Sequence, residues 1–270
     1  MLREYVYGLA GLVGVKKRLG QHFLVDDLVA ERVASLVEDR VVFEVGSGLG
    51  SLTLYMARKA EYIYGCEVDR VFLGLLKREL ERRGVGNVDL MLCDATCFEN
   101  SLSRHVAVSN TPFNLSSVLI VRLCYDLGLE EAFLGVQKEV ADRVLASEGS
   151  RNYGRLSVIA RLCYDAERLF DVSPYSFYPR PKVYTSFLRL VPRRDRDLKE
   201  VRVVEEFTRR VFPYINRKIA RALEFGLQVD RRATRELLES CNISEEKRVR
   251  ELSPREVACL AKKSLESHLF

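Results

Sequence analysis

The chain has 270 residues, 47% of them hydrophobic and 30% charged, enough for one full α/β domain with a small appendage. No uninterrupted apolar run is long enough to span a bilayer, and Met1 to Val15 has no small-residue cleavage site before Lys16-Lys17-Arg18, so a cytoplasmic protein without membrane partners is expected. The formal net charge of +5 is unevenly placed: residues 193–270 carry 19 Lys and Arg against 14 Asp and Glu, and residues 1–192 are balanced.

A basic C-terminal part beside a neutral body points to a polyanionic partner, with a solvated helical surface as the plainer alternative. The seven cysteines are odd in number, scattered and mostly set in apolar segments, which predicts small buried hydrophobes. Cys93 and Cys97 form a lone C-x3-C, and with only His22, His105 and His268 available no metal site is expected.

From about Asp27 to Val191, short β-rich apolar runs alternate with amphipathic stretches, the pattern of βα units around a largely parallel sheet. The predicted strands are Val41–Val45, Tyr62–Glu67, Val88–Leu92, Val106–Ser109 and Ala132–Gln137, with helical stretches near Ser51–Arg58, Arg70–Arg83 and Ser116–Leu127. A pair near Ala166–Val172 and Tyr184–Leu190, joined through prolines, reads as an antiparallel hairpin at the sheet edge. The polar stretch from Pro192 to Asp197 predicts a domain boundary, giving residues 1–192 and 193–270. Beyond it Val203, Phe207 and Val211, then Ile215, Ile219 and Leu223, recur at helical spacing. Asn242 reads as an N-cap before Glu245, and Ser253-Pro254-Arg-Glu256 as an N-cap with Pro at the first helical position. The overall class is α/β, a Rossmann-like sheet with a small C-terminal helical domain.

Between the first strand and the helix after it lies Glu44-Val45-Gly46-Ser47-Gly48-Leu49-Gly50, with glycines at alternate positions. Such a loop admits positive φ and close ligand approach at the first sheet crevice. A dinucleotide fingerprint would put its third glycine at position 51, which is Ser51, and would aim a helix N-terminus at a pyrophosphate. S-adenosylmethionine has no phosphate but carries an ammonium and a sulfonium, which suits Glu44. Glu67, closing the second strand, can accept from both ribose hydroxyls, and Asp94, after the third, from the adenine amine. NAD is the competing ligand.

Ser109-Asn110-Thr111-Pro112-Phe113 follows the fourth strand on the same crevice edge. An adenine amine is a poor nucleophile because its lone pair is delocalised into the ring. The Asn110 side-chain carbonyl and the Thr111 backbone carbonyl, accepting from its N–H groups, would favour a tetrahedral nitrogen. Pro112 fixes the turn, and Phe113 would stack on an extruded base. The competing reading is a strand-to-loop turn with Phe113 in the core.

These residues bring the chain to a family it resembles, the KsgA-type ribosomal RNA adenine dimethyltransferases, over about Lys17 to Leu223. Arg18-Leu-Gly-Gln21-His22-Phe23-Leu24 is similar to the family's N-terminal donor-binding motif. The Glu44 loop, Glu67-Val-Asp69 and Asp94-Ala95 follow as its cofactor motifs, and Gln137-Lys138-Glu139-Val140, Tyr153 to Val158 and Pro179-Arg-Pro181-Lys182-Val183 as its later signatures. The resemblance implies dimethylation of two adjacent adenosines near the 3′ end of small-subunit rRNA, in a pre-30S-type particle; a monomer is the default expectation. It implies donor contacts from Gln21, His22, Leu24, Glu44, Gly46, Gly48, Glu67, Asp94, Ala95 and Asn110, and RNA contacts from Lys138, Arg155, Lys182, Arg217, Lys218 and Arg221. The chain departs from the family's usual Asn-Leu-Pro-Tyr or Asn-Ile-Pro-Tyr: Phe113 keeps the stacking face but lacks the hydroxyl, and Thr111 changes the apolar packing behind its carbonyl. Related enzymes that methylate a large-subunit adenine, and an assembly factor that binds with slow or lost methylation, are the rivals.

Overall fold

The computed structural model describes residues 2–14, 21–94 and 104–269. It divides into two units, residues 1–141 with 167–191, and residues 142–166 with 192–270. The second unit thus takes a segment from the middle of the chain as well as everything beyond Pro192. Among the described residues no helix is long and apolar enough to cross a membrane.

In chain order the first unit contains α1 (Leu2–Val13), β1 (Phe23–Leu24), α2 (Asp27–Ala34), β2 (Val41–Val45), α3 (Thr53–Met56), β3 (Tyr62–Glu67), α4 (Arg70–Arg83), β4 (Val88–Leu92), β5 (His105–Asn110), α5 (Ser116–Cys124) and β6 (Leu129–Gln137). Then α6 (Lys138–Val144), α7 (Arg155–Cys163) and β7 (Tyr164–Val172) cross into and out of the second unit, followed by β8 (Phe177–Tyr178) and β9 (Thr185–Pro192). Seven strands form one sheet in the order β4-β3-β2-β5-β6-β9-β7. The pairs β2–β3, β2–β5, β3–β4 and β5–β6 are parallel, and β6–β9 is antiparallel. The chain runs outward from β2 through β3 to β4, then returns to β5 on the other side of β2. That reversal opens a crevice at the C-terminal ends of β2 and β5, where ligands bind in sheets of this kind.

β2 and β5 are buried nearly throughout, as strands covered on both faces should be. α1, not among the predicted helices because three glycines in its neighbourhood lower its propensity, turns Leu2, Val6 and Ala10 into the core at four-residue spacing. The Tyr5 hydroxyl on its flank donates to the Leu49 carbonyl at 2.9 Å, bracing the glycine loop from outside. α2 starts where Asp26 accepts from the backbone N–H groups of Leu28 and Val29.

The second unit adds α8 (Leu198–Val211), α9 (Ile219–Leu227), α10 (Arg231–Ser240) and α11 (Pro254–Glu266). Val204, Phe207 and Val211 of α8 share a core with Ile219, Leu223, Leu238, Val257 and Leu260. The Tyr153 hydroxyl donates to the Leu252 carbonyl at 2.7 Å, which ties the inserted segment into this unit. Ser253 caps α11 as expected, with Glu256 completing the capping box. Asn242 is not an N-cap: it follows α10 with φ of +54°, and residues 245–247 form a turn. The expectation that the cysteines are plain buried hydrophobes is corrected for two pairs. Cys66 at the end of β3 is bonded to Cys93 after β4, and Cys241 at the end of α10 to Cys259 of α11, because packing brings their Cα atoms to 5.5 and 5.9 Å.

Gly50 is the most constrained point of the loop after β2. Its φ is +83°, and a Cβ there would lie 2.3 Å from Leu76 Cδ1 on α4. Gly50→Ala therefore combines backbone strain with overpacking and should cost about 2 kcal/mol or more. Urea unfolding monitored by circular dichroism checks this, and a loss below half that size would mean α4 yields readily.

Candidate active site

Four consecutive strand ends build the site. After β2, Gly46 and Ser47 donate their backbone N–H groups to the Cys66 carbonyl, which holds the loop down on the end of β3. Gly46, Gly48 and Gly50 all have positive φ. Glu67, at the end of β3, fixes the same loop from its side chain: Oε2 accepts from the Gly48 N–H and Oε1 from the Asp69 N–H, each at 2.8 Å. Each carboxylate oxygen retains a lone pair for a further donor. Asp94 follows β4 and is exposed at the rim.

After β5 the Ser109 hydroxyl donates to the Val45 carbonyl at 2.7 Å, stapling the ends of β2 and β5 together. The Asn110 Nδ2 donates to the His22 carbonyl at 2.8 Å. A carbonyl can only accept, so this contact fixes which way the amide faces, and Oδ1 has no partner among the described residues. The Thr111 N–H donates to the Gly135 carbonyl and the Leu115 N–H to that of Pro112, which closes the turn carrying Phe113. The His22 and Phe113 rings lie 4.9 Å apart at 35°, and His22 Nδ1 is 2.6 Å from the Pro179 carbonyl. A carbonyl can only accept, so Nδ1 carries a proton.

These elements enclose a cavity of about 240 Å³. Of the predicted site residues, Gln21, His22, Glu44, Gly46, Gly48, Glu67, Asp94, Asn110, Pro112 and Phe113 line it together. Leu24 does not: it is fully buried in the core, and its backbone pairs with Phe177. Ala95, like Arg18 to Gly20 of the N-terminal motif, lies outside the described residues. Residues that the sequence did not single out include Ser51 and the Thr111 side chain; both residues line the cavity, and their buried hydroxyls have no hydrogen-bond partner among the described residues. A polar ligand would satisfy them. Thr53, also unforeseen, donates to Glu44 Oε2 at 2.6 Å. Its place in the first turn after a glycine loop was the available signal.

The predicted RNA-contacting cations are divided. Lys138 and Lys182 belong to the first unit; Arg155, Arg217, Lys218 and Arg221 belong to the second. Lys138 pairs with Asp171 at 3.3 Å, Arg155 with Glu205 at 3.6 Å, Arg221 with Glu224 at 2.6 Å, and Lys218 with Glu246. Arg217 lies over the Phe225 ring at 5.4 Å, and Lys182 is exposed.

Two acids dominate the electrostatics. Burial raises the Glu67 carboxyl above its ordinary value against the pull of its backbone donors. Glu44 is only 2% exposed, and burial pushes its carboxyl up to about 7, with the Thr53 hydroxyl opposing and the charge of Glu67 adding to the shift. A cationic ligand suits such a cavity.

A doubly wound sheet with a glycine loop, acids at neighbouring strand ends and an Asn-x-Pro-Phe turn at one crevice is the arrangement of a Rossmann-like methyltransferase. The sequence model of the ribosomal RNA adenine dimethylase family matches residues 14–264, and the chain belongs to that family. It is 33% identical over 246 residues to a probable ribosomal RNA small subunit methyltransferase A of Methanopyrus kandleri, covering 87% of each chain. It is 39% identical over 213 residues to a protein of the same name from Pyrobaculum islandicum, covering 78% of this chain and 86% of that one. In fold it is similar to a dimethyladenosine transferase from Plasmodium falciparum, with a TM-score of 0.78 at 22% identity over 91% of this chain and 98% of that one. Neither the large-subunit nor the assembly-factor alternative is favoured by these relatives.

Glu44 also gives the site a pH signature. Between the ordinary carboxyl value of 4.5 and about 7 it is protonated in the folded chain and ionised in the unfolded one. The folded state binds more protons across that window, so its stability is highest at the acid end and is lost as pH rises through 7, by roughly 3 kcal/mol in all. Glu44→Gln, which keeps an acceptor for Thr53, should resist urea better than wild type at pH 8, with the gap closing toward pH 5. A gap that does not change with pH would sink the ionisation account.

Proposed function

We propose that this protein uses S-adenosylmethionine to dimethylate the exocyclic amines of two adjacent adenosines near the 3′ end of small-subunit rRNA, working as a monomer in the cytoplasm on a pre-30S-type particle. The observation that carries this reading is the Asn110 amide. Held at Nδ2 by the His22 carbonyl, it leaves Oδ1 as a fixed acceptor in the cavity lining, next to the glycine loop.

The donor, when bound, supplies an electrophilic methyl group on a sulfonium. Glu67 accepts from its ribose hydroxyls and Asp94 from its adenine amine, and ionised Glu44 and Glu67 offset its positive charge. The unpartnered Ser51 and Thr111 hydroxyls fit a ligand rich in polar groups. On the acceptor side, Asn110 Oδ1 and the Thr111 carbonyl accept from the two N–H bonds of the adenine amine, which draws the nitrogen lone pair out of the ring. Phe113, with the His22 ring behind it, offers the stacking face for a base taken out of its helix. The catalysis is alignment and electrostatics, with no strong base required. Lys138, Arg155, Lys182, Arg217, Lys218 and Arg221 meet rRNA phosphates, and the helical part beyond Pro192 serves as the RNA-binding domain.

The test is methyl transfer from labelled S-adenosylmethionine to small subunits lacking adenine dimethylation, with nucleoside analysis of the isolated rRNA. Wild type should give dimethyladenosine at two adjacent positions, and Asn110→Ala should slow transfer by about a hundredfold or more, as loss of a fixed polar contact to the reacting group does. No incorporation by wild type into these particles would overturn the reading.

A further inference from the structure

We propose that Tyr175 and Arg180 form a stacking subsite for the nucleotide that adjoins the adenosine in the cavity, an inference that rests on the function proposed above. The segment between β7 and β9 belongs to the first unit and presents Tyr175, Arg180, Lys182, Val183 and Tyr184 to solvent, aromatic residues interleaved with cations. Tyr175 is 68% exposed, unusual for a ring of that size, and the Arg180 guanidinium lies 3.5 Å from its centroid. The guanidinium carbon therefore sits directly over the ring on an open surface. Among the described residues Arg180 makes no ion pair or hydrogen bond, whereas Lys138, Arg155, Lys218 and Arg221 each face a carboxylate. Its N–H edge is free for a phosphate or a base.

The stack is anchored to the reacting site. The Pro179 carbonyl that meets His22 Nδ1 belongs to the peptide unit that leads into Arg180. His22 lines the cavity and packs on Phe113. Antiparallel pairing of Phe23 with Tyr178 and Leu24 with Phe177 holds the same segment beside the N-terminal part of the site. The Ser176 hydroxyl donates to Asp26 at 2.8 Å and the Ser176 carbonyl accepts from Val25 at 2.8 Å, so Tyr175 starts from a fixed backbone.

When one base leaves a single-stranded stack for a pocket, its neighbour loses a stacking partner. A guanidinium held over a tyrosine ring replaces that partner, since unpaired RNA bases stack on both aromatic rings and arginine planes. Because the arginine is already oriented, less side-chain freedom is lost when the base arrives. The subsite accepts any base by stacking and a phosphate by charge.

The experiment compares wild type with Tyr175→Ala, Arg180→Ala and Arg180→Lys in methyl transfer to small subunits lacking adenine dimethylation, together with S-adenosylmethionine affinity and thermal melting. Both alanine variants should raise KM for the particles by about tenfold. Arg180→Lys, which keeps the charge but loses the plane, should recover only a small part, while donor affinity and melting temperature stay at wild-type values. Unchanged KM in the alanine variants, or full rescue by lysine, would overturn the stacking subsite and leave the methyltransferase reading standing. A wild type that fails to methylate the particles would overturn that reading and the subsite with it.

Discussion

The reversal of strand order at β2 and β5, sealed by the Ser109 hydroxyl on the Val45 carbonyl, is the constraint on which the site depends. Parallel pairing of Val42 with Val106 and Glu44 with Val108 sets the two strand ends level. The loop from β2 and the turn from β5 therefore leave the sheet side by side and line one cavity. Everything else braces this pair. Glu67 and the Cys66 carbonyl hold the glycine loop from β3, Tyr5 supports it from α1, and Gly135 on β6 accepts from Thr111 to hold the acceptor turn. Because these supports are backbone contacts or come from buried and half-buried side chains, the site is carried by the packed part of the fold.

The cavity also sorts its ligands by charge. Burial raises the proton affinity of both carboxylates in the crevice, and the charge of Glu67 raises that of Glu44 further, a cost that the site bears when both ionise. A ligand with ammonium and sulfonium charges removes that cost, while a neutral thioether product removes less of it. On the proposed reading, the same carboxylates favour the charged donor over the spent one, a differential that would act on turnover without any group entering the reaction.

The sheet was readable because its signals are local. Val41–Val45, Tyr62–Glu67 and Val88–Leu92 form strands with the bounds the sequence predicts, as does the helix Arg70–Arg83, which Asp69 caps at one end and Gly84 ends in the left-handed region at the other. The cavity-lining residues were legible because several weak local signals coincide: the glycine loop, the acids after β3 and β4 and the Asn-x-Pro turn after β5 all fall at the ends of neighbouring strands. What was not legible depends on contacts distant in sequence. The two-residue strands β1 and β8 exist only because Phe23 and Leu24 meet Phe177 and Tyr178, and neither dipeptide carries a strand signal alone. Leu24 looked like a ligand contact by its neighbours in the motif, yet alternation along that short strand turns it inward. Asn242 sat before an acidic residue as a cap would, but its positive φ ends α10 instead, a conformation asparagine tolerates. The disulfide partners, too, are set by packing, because no local pattern joins Cys241 to Cys259.

Net charge was the weakest guide to the partner. The basic excess lies beyond residue 193, but Lys218 and Arg221 there are already matched by Glu246 and Glu224. Exposed pairs of this sort are worth little, so a phosphate can displace the carboxylate at small cost. The exchange nevertheless gains less than neutralising a bare cation, since one partner is traded for another. Discrimination therefore falls on cations without a carboxylate: Arg217 over the Phe225 ring, Lys182, and Arg180 on Tyr175. Two of these are stacked on aromatic faces. Stacking needs an unpaired base, and a duplex offers none. Cations placed over aromatic rings suit RNA whose bases are free, which is the same property the proposed reaction requires of its target.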